Sequence, residues 1–158
     1  MLVGITGYAG SGKDALGRFL VNNHGFVRVA FADAVKVMAL EQYGWNGRKD
    51  EYGRALLQEV GSMMREEYEH YWVDIAFAEA AKHANVVFTD LRYHNELVRL
   101  RQLGGLFVRI IRQGLGPIND HPSEVALDDY PADVTVLNNS SLAKLEITAA
   151  SIAVAHSL

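Results

Sequence analysis

Short apolar runs recur along the chain and alternate with stretches in which apolar residues repeat at helical spacing. Five of these runs are rich in β-branched residues: Leu2 to Thr6, Phe26 to Ala30, Val86 to Thr89, Leu106 to Ile111 and Val134 to Leu137. Strands that alternate with helices are typical of a parallel sheet covered by helices, and nearly continuous apolar runs fit strands buried on both faces. The pattern therefore predicts an α/β fold with a five-stranded parallel sheet flanked by helices.

The length of 158 residues fits one domain, and no repeat or linker divides it, so we expect a single domain over residues 1–158. No apolar block is long enough to cross a bilayer, and Met1 to Thr6 leads directly into a predicted strand. We therefore expect neither a membrane span nor a signal peptide.

Composition narrows the classes of function. The chain has no cysteine, which excludes disulfides, thiolate metal sites and a cysteine nucleophile and makes the cytoplasm the expected location. The formal net charge of −4 argues against a nucleic-acid polymer as partner, because such partners favour a basic surplus. Small anionic substrates remain open, since a few local arginines can bind them.

The clearest motif is Gly7-Tyr-Ala-Gly-Ser-Gly-Lys13, which follows the first predicted strand and precedes a helical stretch over Asp14 to Asn23. It matches the phosphate-binding loop, or P-loop, in which glycines let backbone N–H groups surround phosphate oxygens and the lysine reaches the β- and γ-phosphates of ATP. The alternative is a glycine-rich turn with a solvated lysine, but the strand-loop-helix context favours the P-loop. The predicted ATP-binding residues are Gly7, Gly10, Ser11, Gly12, Lys13, Asp14 and Ala15.

Asp14 departs from the usual motif, in which a serine or threonine hydroxyl after the lysine binds Mg²⁺. A carboxylate there can hold Mg²⁺ through water or simply cap the helix, and the sequence leaves both readings open. Ser11 is the nearest other hydroxyl in the loop.

A second acid, Asp90, ends the buried run Val86 to Thr89. Ligands of an open parallel sheet bind outside the carboxyl ends of its strands, so Asp90 is predicted to face the P-loop and orient Mg²⁺, with Arg92 on a phosphate. The alternative is that Asp90 caps a helix beginning near Tyr93 and that Arg92 is a surface charge. Asp14 and Asp90 are the predicted metal ligands.

Residues Asp50 to about Tyr68 are predicted to form one long helix. Four of its positions share a stripe about 60° wide: Arg54, Gln58, Gly61 and Arg65. A glycine inside a helix costs about 1 kcal/mol relative to alanine, which suggests that a group approaches Gly61 closely. The stripe is predicted to bind an anionic substrate; the alternative is a solvated face with ion pairs Arg54 to Glu51 and Arg65 to Glu69.

Two further segments carry candidate residues. Asp33 and Lys36 follow the second strand and are predicted to contact a substrate, although a helix cap and a surface charge would give the same pattern. The long polar loop that begins at Gly114 and reaches about Ser123 has the character of a lid.

These segments together resemble the bacteriophage deoxynucleoside monophosphate kinases, which belong to the P-loop kinase group with adenylate and thymidylate kinases. The resemblance rests on Gly10-Ser-Gly-Lys-Asp14, Phe31-Ala-Asp33 with Lys36, the stripe Arg54, Gln58, Gly61 and Arg65, Asp90-Leu-Arg92 with Asn95-Glu96, Gly104-Gly105, and His121 with Ser123-Glu124. It implies the P-loop kinase fold, with an acceptor-binding helical region over about residues 31–84 and a short lid over about residues 112–123.

The resemblance also implies an activity: Mg²⁺-dependent transfer of a phosphoryl group from ATP to a deoxynucleoside monophosphate (dNMP), in the host cytoplasm if the chain is phage-encoded. The catalytic residues would be Lys13, Arg92 and Arg112, and a homodimer is allowed. Ala15 stands where the family often has threonine, so one auxiliary hydroxyl is missing. Two alternatives are a small-molecule phosphate kinase similar to phosphomevalonate kinase and a nucleotide-binding module without turnover.

Overall fold

The computed structural model describes residues 1–155, and the last three residues of the predicted domain 1–158 lie outside that range. Within residues 1–155, five strands alternate with seven helices. The strands are β1 Leu2–Thr6, β2 Val27–Val29, β3 Val86–Phe88, β4 Leu106–Ile111 and β5 Val134–Leu137. The helices are α1 Lys13–His24, α2 Phe31–Gln42, α3 Glu51–Glu67, α4 Tyr71–Ala80, α5 His94–Gln102, α6 Pro122–Val125 and α7 Leu142–Val154.

The strands form one parallel sheet in the order β2-β3-β1-β4-β5, which confirms the predicted five-stranded parallel sheet. Strand β1 lies in the middle, where Gly4 is in register with Phe88 of β3 and Phe107 of β4. All carboxyl ends therefore meet at one edge of the sheet. The P-loop, Asp90, Arg112 and Asn138 follow four different strands and converge at this edge.

Helices cover both faces of the sheet and bury a separate core on each. On one face, Leu16 of α1 and Leu145 of α7 pack on the sheet. On the other face, Phe77 of α4 and Leu97 of α5 do so. Side chains buried on both faces explain why the central strands β1, β3 and β4 appear in the sequence as nearly continuous apolar runs.

A third buried cluster lies among α2, α3 and α4 and contains Val35, Val60 and Trp72. The indole N–H of Trp72 donates a 3.0 Å hydrogen bond to the carbonyl of Gly61, which fixes α4 against α3. These helices fill most of the region 31–84, so that region has packing of its own. Its assignment to an acceptor remains a prediction.

Element boundaries differ from the sequence-based ones by a residue at most. Strand β2 begins at Val27 because the N–H of Phe26 instead bonds the carbonyl of Leu20 at the end of α1. Helix α3 begins after Asp50, whose carboxylate accepts the N–H of Gly53 at 2.8 Å and caps the helix. Over residues 1–155, none of the helices has the length and hydropathy needed to span a bilayer.

Candidate functional site

The P-loop connects β1 to α1 and has a backbone that only glycine adopts easily. Gly10 and Gly12 have φ values of 79° and 109°. A Cβ at Gly12 would collide with the side-chain amide of Asn138, so a larger residue is excluded by space as well as by conformation. The loop is thus a rigid turn that leads directly into the helix N-terminus.

Lys13 bends back over the loop that precedes it. Its Nζ donates hydrogen bonds to the carbonyl oxygens of Gly7 at 2.6 Å and Tyr8 at 2.9 Å. Burial lowers the pKa of Lys13, and the nearby Arg92 guanidinium lowers it further. A half-buried ammonium group of this kind is not the solvated lysine of the alternative reading, and an anionic ligand would stabilise its charge.

Ser11 adds an unpaired hydroxyl to the loop. Among the residues that the structure describes, its Oγ is the buried side-chain polar atom without a hydrogen-bond partner, and Ser11 is 1% exposed. Such a group costs free energy unless something satisfies it. The loop is therefore suited to a ligand that supplies a hydrogen-bond partner or a cation.

Asn138 braces the P-loop from the end of β5. Its Nδ2 donates a 2.8 Å hydrogen bond to the carbonyl of Ser11, and its backbone N–H bonds the carbonyl of Ile111. Asn138 was not among the predicted site residues. The signal was available, because Asn138 is a polar residue directly after a strand, at the edge where ligands bind.

Two adjoining cavities open at this edge. The first, the P-loop cavity, measures about 280 Å³ and is lined by residues of the loop, β4 and the segment around α6, including Gly7, Ser11, Lys13, Arg92, Arg112 and Glu124. The second, the α3 cavity, measures about 880 Å³, and its lining includes Lys36, Arg54, Gln58, Gly61, Arg65, Asp90, Arg92, Tyr93, Glu96 and Glu124. Both volumes compare with those of small-molecule sites.

Arg92 lies where the two cavities meet. It lines both, as do Ala9, Ser123 and Glu124. Its guanidinium makes a 3.3 Å ion pair with Glu124 of α6. The predicted positions of Arg92 and Arg112 beside the P-loop are thus consistent with a charged ligand that reaches across both cavities.

Asp90 caps a helix, but not the one that the alternative reading named. Its carboxylate accepts the N–H groups of Phe31 and Ala32, each at 2.9 Å, at the start of α2 rather than of α5. Burial raises the pKa of Asp90, while these two hydrogen bonds act in the opposite direction. Asp90 thereby ties the end of β3 to α2, and its predicted metal role remains a prediction.

Glu96 performs the corresponding task for α5. One oxygen of its carboxyl group, Oε2, accepts the N–H groups of Arg92 at 2.7 Å and Tyr93 at 3.0 Å. The side chain is 2% exposed, and burial raises its pKa to about 8. The N-cap residue is Tyr93 rather than the serine or threonine of the usual capping-box motif, so this role was not predicted, and the depth of burial depends on packing.

The stripe on α3 lines the larger cavity as a set. Within residues 1–155, neither Arg54 nor Arg65 makes an ion pair, so the predicted pairs with Glu51 and Glu69 do not form. The charges on this stripe are therefore not neutralised by carboxylates of the described residues. That favours an anionic ligand over the solvated-face alternative.

Several of the remaining predicted residues do not line either cavity. Lys36 lines the α3 cavity, whereas Asp33 lies outside both linings and pairs with Lys36 at 2.9 Å and with Arg28 at 2.7 Å. Asp33 is thus placed to orient Lys36. Four residues of the predicted ATP-binding set do not line either cavity: Gly10, Gly12, Asp14 and Ala15.

The predicted lid ends in a short helix that the sequence analysis did not identify. His121 caps α6, because its Nδ1 accepts the N–H of Ser123 at 3.2 Å. Glu124 pairs with Arg92, so the segment is linked to the end of β3. His121 therefore stabilises the turn at the start of α6.

The raised pKa of Glu96 leads to a prediction about stability and pH. The native protein keeps a proton on Glu96 up to pH of about 8, whereas the unfolded chain releases it near pH 4.5. Stability contributed by the protonated form is complete below the lower value and is lost as pH rises through the window between them. The glutamine of Glu96→Gln cannot ionise. The free energy of unfolding of this variant minus that of the parent should therefore increase by about 1 kcal/mol per pH unit from pH 5 to 8.

Urea unfolding at several pH values measures this difference. The control is Glu59→Gln, which changes an exposed carboxylate on α3 and should keep the pH dependence of the parent. Parallel curves for the parent and Glu96→Gln across the whole window would show that Glu96 is ionised in the folded protein.

Comparison with known proteins agrees with the P-loop geometry. The family model AAA_18, described as an AAA domain, matches residues 3–113. The chain is 30% identical to "Putative deoxynucleotide monophosphate kinase" of Acanthamoeba polyphaga mimivirus, and the alignment covers 90% of each protein. It is also 30% identical to "Uncharacterized protein ORF77" of Ictalurid herpesvirus 1 (strain Auburn), over 89% of the chain and 64% of that protein.

The fold is shared with solved kinases. The shikimate kinase of Aquifex aeolicus superposes with a TM-score of 0.55 at 15% identity, covering 99% of this chain and 98% of the other. At that identity the likeness concerns the fold alone, and it confirms the predicted P-loop kinase architecture. The viral relatives come from a mimivirus and a herpesvirus, so a bacteriophage origin remains a prediction.

Proposed function

The chain belongs to the AAA_18 family and has a P-loop kinase fold, and from this we propose that it transfers the γ-phosphoryl group of ATP to a dNMP. One observation carries the proposal. The α3 cavity of about 880 Å³ contains Arg54 and Arg65, which have no ion pair within residues 1–155, and it adjoins the P-loop cavity at Arg92. A dNMP in the α3 cavity would thus lie next to the phosphates of ATP bound to the P-loop.

Catalysis in this arrangement depends on position and charge. Phosphoryl transfer needs little covalent help from a protein, so no catalytic base is required. Lys13 would hold the β- and γ-phosphates, while Arg92 and Arg112 would neutralise charge on the transferred group. Closure of the segment from Gln113 to Asp120 would keep water out and limit ATP hydrolysis.

The two arginines of α3 would serve different parts of the acceptor. A helical rise of about 1.5 Å per residue separates the Cα atoms of Arg54 and Arg65 by about 16 Å along α3. Arg65 contacts Tyr93, next to Arg92, and so belongs to the phosphate end. Arg54 would then lie toward the sugar or base.

The loop also fits a Mg²⁺-bound nucleotide. No group of three carboxylate or histidine side chains suited to a metal occurs within residues 1–155. Mg²⁺ in kinases is held mostly by phosphates and water with one or two protein ligands, which the unpaired Ser11 hydroxyl and the exposed Asp14 could supply. When bound, Mg²⁺ would neutralise charge on the phosphates. Asp90 would contribute through water, since its carboxylate already accepts two N–H groups.

The mimivirus relative supports a dNMP as acceptor, because its name is that of a deoxynucleotide monophosphate kinase. The unpaired Arg54 and Arg65 oppose a stand-alone ATPase, since an ATPase would give them no anionic partner. The phosphomevalonate kinase reading differs only in the acceptor, and the module without turnover differs only in the absence of transfer.

An acceptor panel tests the proposal. ADP release from ATP and Mg²⁺ is measured with each common dNMP, with each ribonucleoside monophosphate, with phosphomevalonate and without acceptor. We expect ADP release that depends on a dNMP and is matched by dNDP formed. ATP binding without acceptor-dependent release, equal release without acceptor, or turnover with phosphomevalonate alone would each contradict it.

A further inference from the structure

The guanidinium group of Arg65 is held by its neighbours without an opposite charge. Its Cζ lies 4.0 Å from the centroid of the Tyr93 ring, a distance typical of a cation–π contact. A Cβ at Gly61, one turn earlier on α3, would lie only 3.1 Å from Nη1 of Arg65. The guanidinium thus occupies a slot, formed by Gly61 and Tyr93, in which the missing side chain of Gly61 provides the room.

This explains the glycine inside α3 in a way that the sequence could not. The sequence suggested that a group approaches Gly61 closely, and the side chain of Arg65 is such a group. The carbonyl of Gly61 is held by the indole of Trp72, which fixes this part of the slot. Gly61 therefore determines where the guanidinium lies.

Tyr93, on the other side of the slot, is also fixed. Its N–H donates to Glu96 at 3.0 Å, which anchors its backbone at the start of α5. Burial raises the pKa of the Tyr93 phenol, while the Arg65 charge and a side-chain hydrogen bond with Ser123 act in the opposite direction. The Tyr93 backbone is therefore fixed at the start of α5, and its ring packs against the Arg65 guanidinium.

The contacts of Arg65 leave its donors available. Among the described residues it has no ion pair, and it lines the α3 cavity beside Tyr93 and Arg92. A guanidinium that stacks on an aromatic ring keeps its N–H groups in the plane of the fork, where they can bind a phosphate. Holding a long arginine side chain in one conformation before binding lowers the entropy cost of that binding.

We propose that Tyr93 is a positioning residue, which holds the Arg65 guanidinium ready for the acceptor phosphate in the slot left open by Gly61. This inference rests on the proposed function, and it assigns to Tyr93 a role in acceptor affinity without contact with the phosphate. The aromatic ring is the part that matters, because its face makes the contact with the guanidinium.

Steady-state kinetics of Tyr93→Leu and Tyr93→Phe tests the inference. Tyr93→Leu removes the aromatic face and should raise the acceptor KM about 3- to 30-fold while the KM for ATP stays within about twofold of the parent value. Tyr93→Phe keeps the face and should stay near the parent. The matched control is Tyr52→Leu, which removes an exposed tyrosine of the same helix as Arg65 and should change neither KM.

Gly61→Ala provides a second variant that should fold. Alanine stabilises a helix interior relative to glycine by about 1 kcal/mol, while its Cβ would lie 3.1 Å from Nη1 of Arg65 and would shift the guanidinium within the slot. We expect a melting temperature at or above that of the parent together with a raised acceptor KM. A destabilised protein with an unchanged acceptor KM would contradict the slot.

A double-mutant cycle separates this role from a general structural one. In an Arg65→Ala background, Tyr93→Leu should have almost no further effect on the acceptor KM, because the group it positions is gone. The inference is overturned if the two effects multiply, if Tyr93→Phe is as impaired as Tyr93→Leu, or if both substrates lose affinity equally. If the parent shows acceptor-dependent turnover, such a failure concerns the role of Tyr93 alone. If the parent shows no acceptor-dependent turnover, both the proposed function and this inference are overturned.

Discussion

Lys13→Ala should lower kcat by about 10³-fold or more while the protein remains folded. Removing one preorganised neutral donor from an active site costs about 10² to 10³ in rate, and Lys13 would add a full charge to that contact. Its present partners are two carbonyl groups of the loop, Gly7 and Tyr8, to which water can donate in its place. The side chain lines the P-loop cavity rather than the core, so folding should not depend on it.

The measurement combines kcat with a thermal melt. Lys82→Ala is the control, because Lys82 is an exposed lysine just after α4 that pairs with Glu79 and lines neither cavity, so its removal should have no effect on kcat. A folded Lys13→Ala protein within tenfold of the parent kcat would remove Lys13 from the catalytic group and would return the loop to a glycine-rich turn.

The fold was predictable because its central strands β1, β3 and β4 are mostly buried. Runs such as Leu106 to Ile111 are then apolar at almost every position, and the P-loop fixed the first strand-to-helix turn. The short helix α6 was missed, because four residues are too few for a periodic pattern and its cap is a histidine. The burial of Trp72 among three helices also depends on long-range packing.

The site was predictable in its members and less so in its contacts. Residues after the strands could be placed at one edge from the parallel sheet alone. The contact between Asp90 and the N-terminus of α2 depends on the position of β2 next to β3. The sequence does not specify that strand order. Likewise, the partner of Arg65 is an aromatic ring of another helix, whereas sequence spacing on α3 offered only Glu69.

Arg65→Ala should raise the acceptor KM and reduce kcat/KM for the acceptor by about 2 to 4 kcal/mol, or roughly 30- to 1000-fold. The physical reason is that Arg65 has no carboxylate partner among the described residues, so its removal leaves no buried charge unpaired. The loss therefore falls on the ligand rather than on folding. Affinity for ATP should change little, because Arg65 does not line the P-loop cavity.

Varying each substrate separately distinguishes the site from a solvated surface. Arg48→Ala, which removes an exposed arginine just before α3, should match the parent for both substrates. If Arg65 were only a solvated surface arginine, Arg65→Ala would also have almost no effect on the kinetics of either substrate. Equal losses for ATP and acceptor would mean that Arg65 supports the whole site rather than one phosphate. A selective acceptor loss in a protein with unchanged melting would instead place the acceptor phosphate beside Arg65, within reach of Arg92.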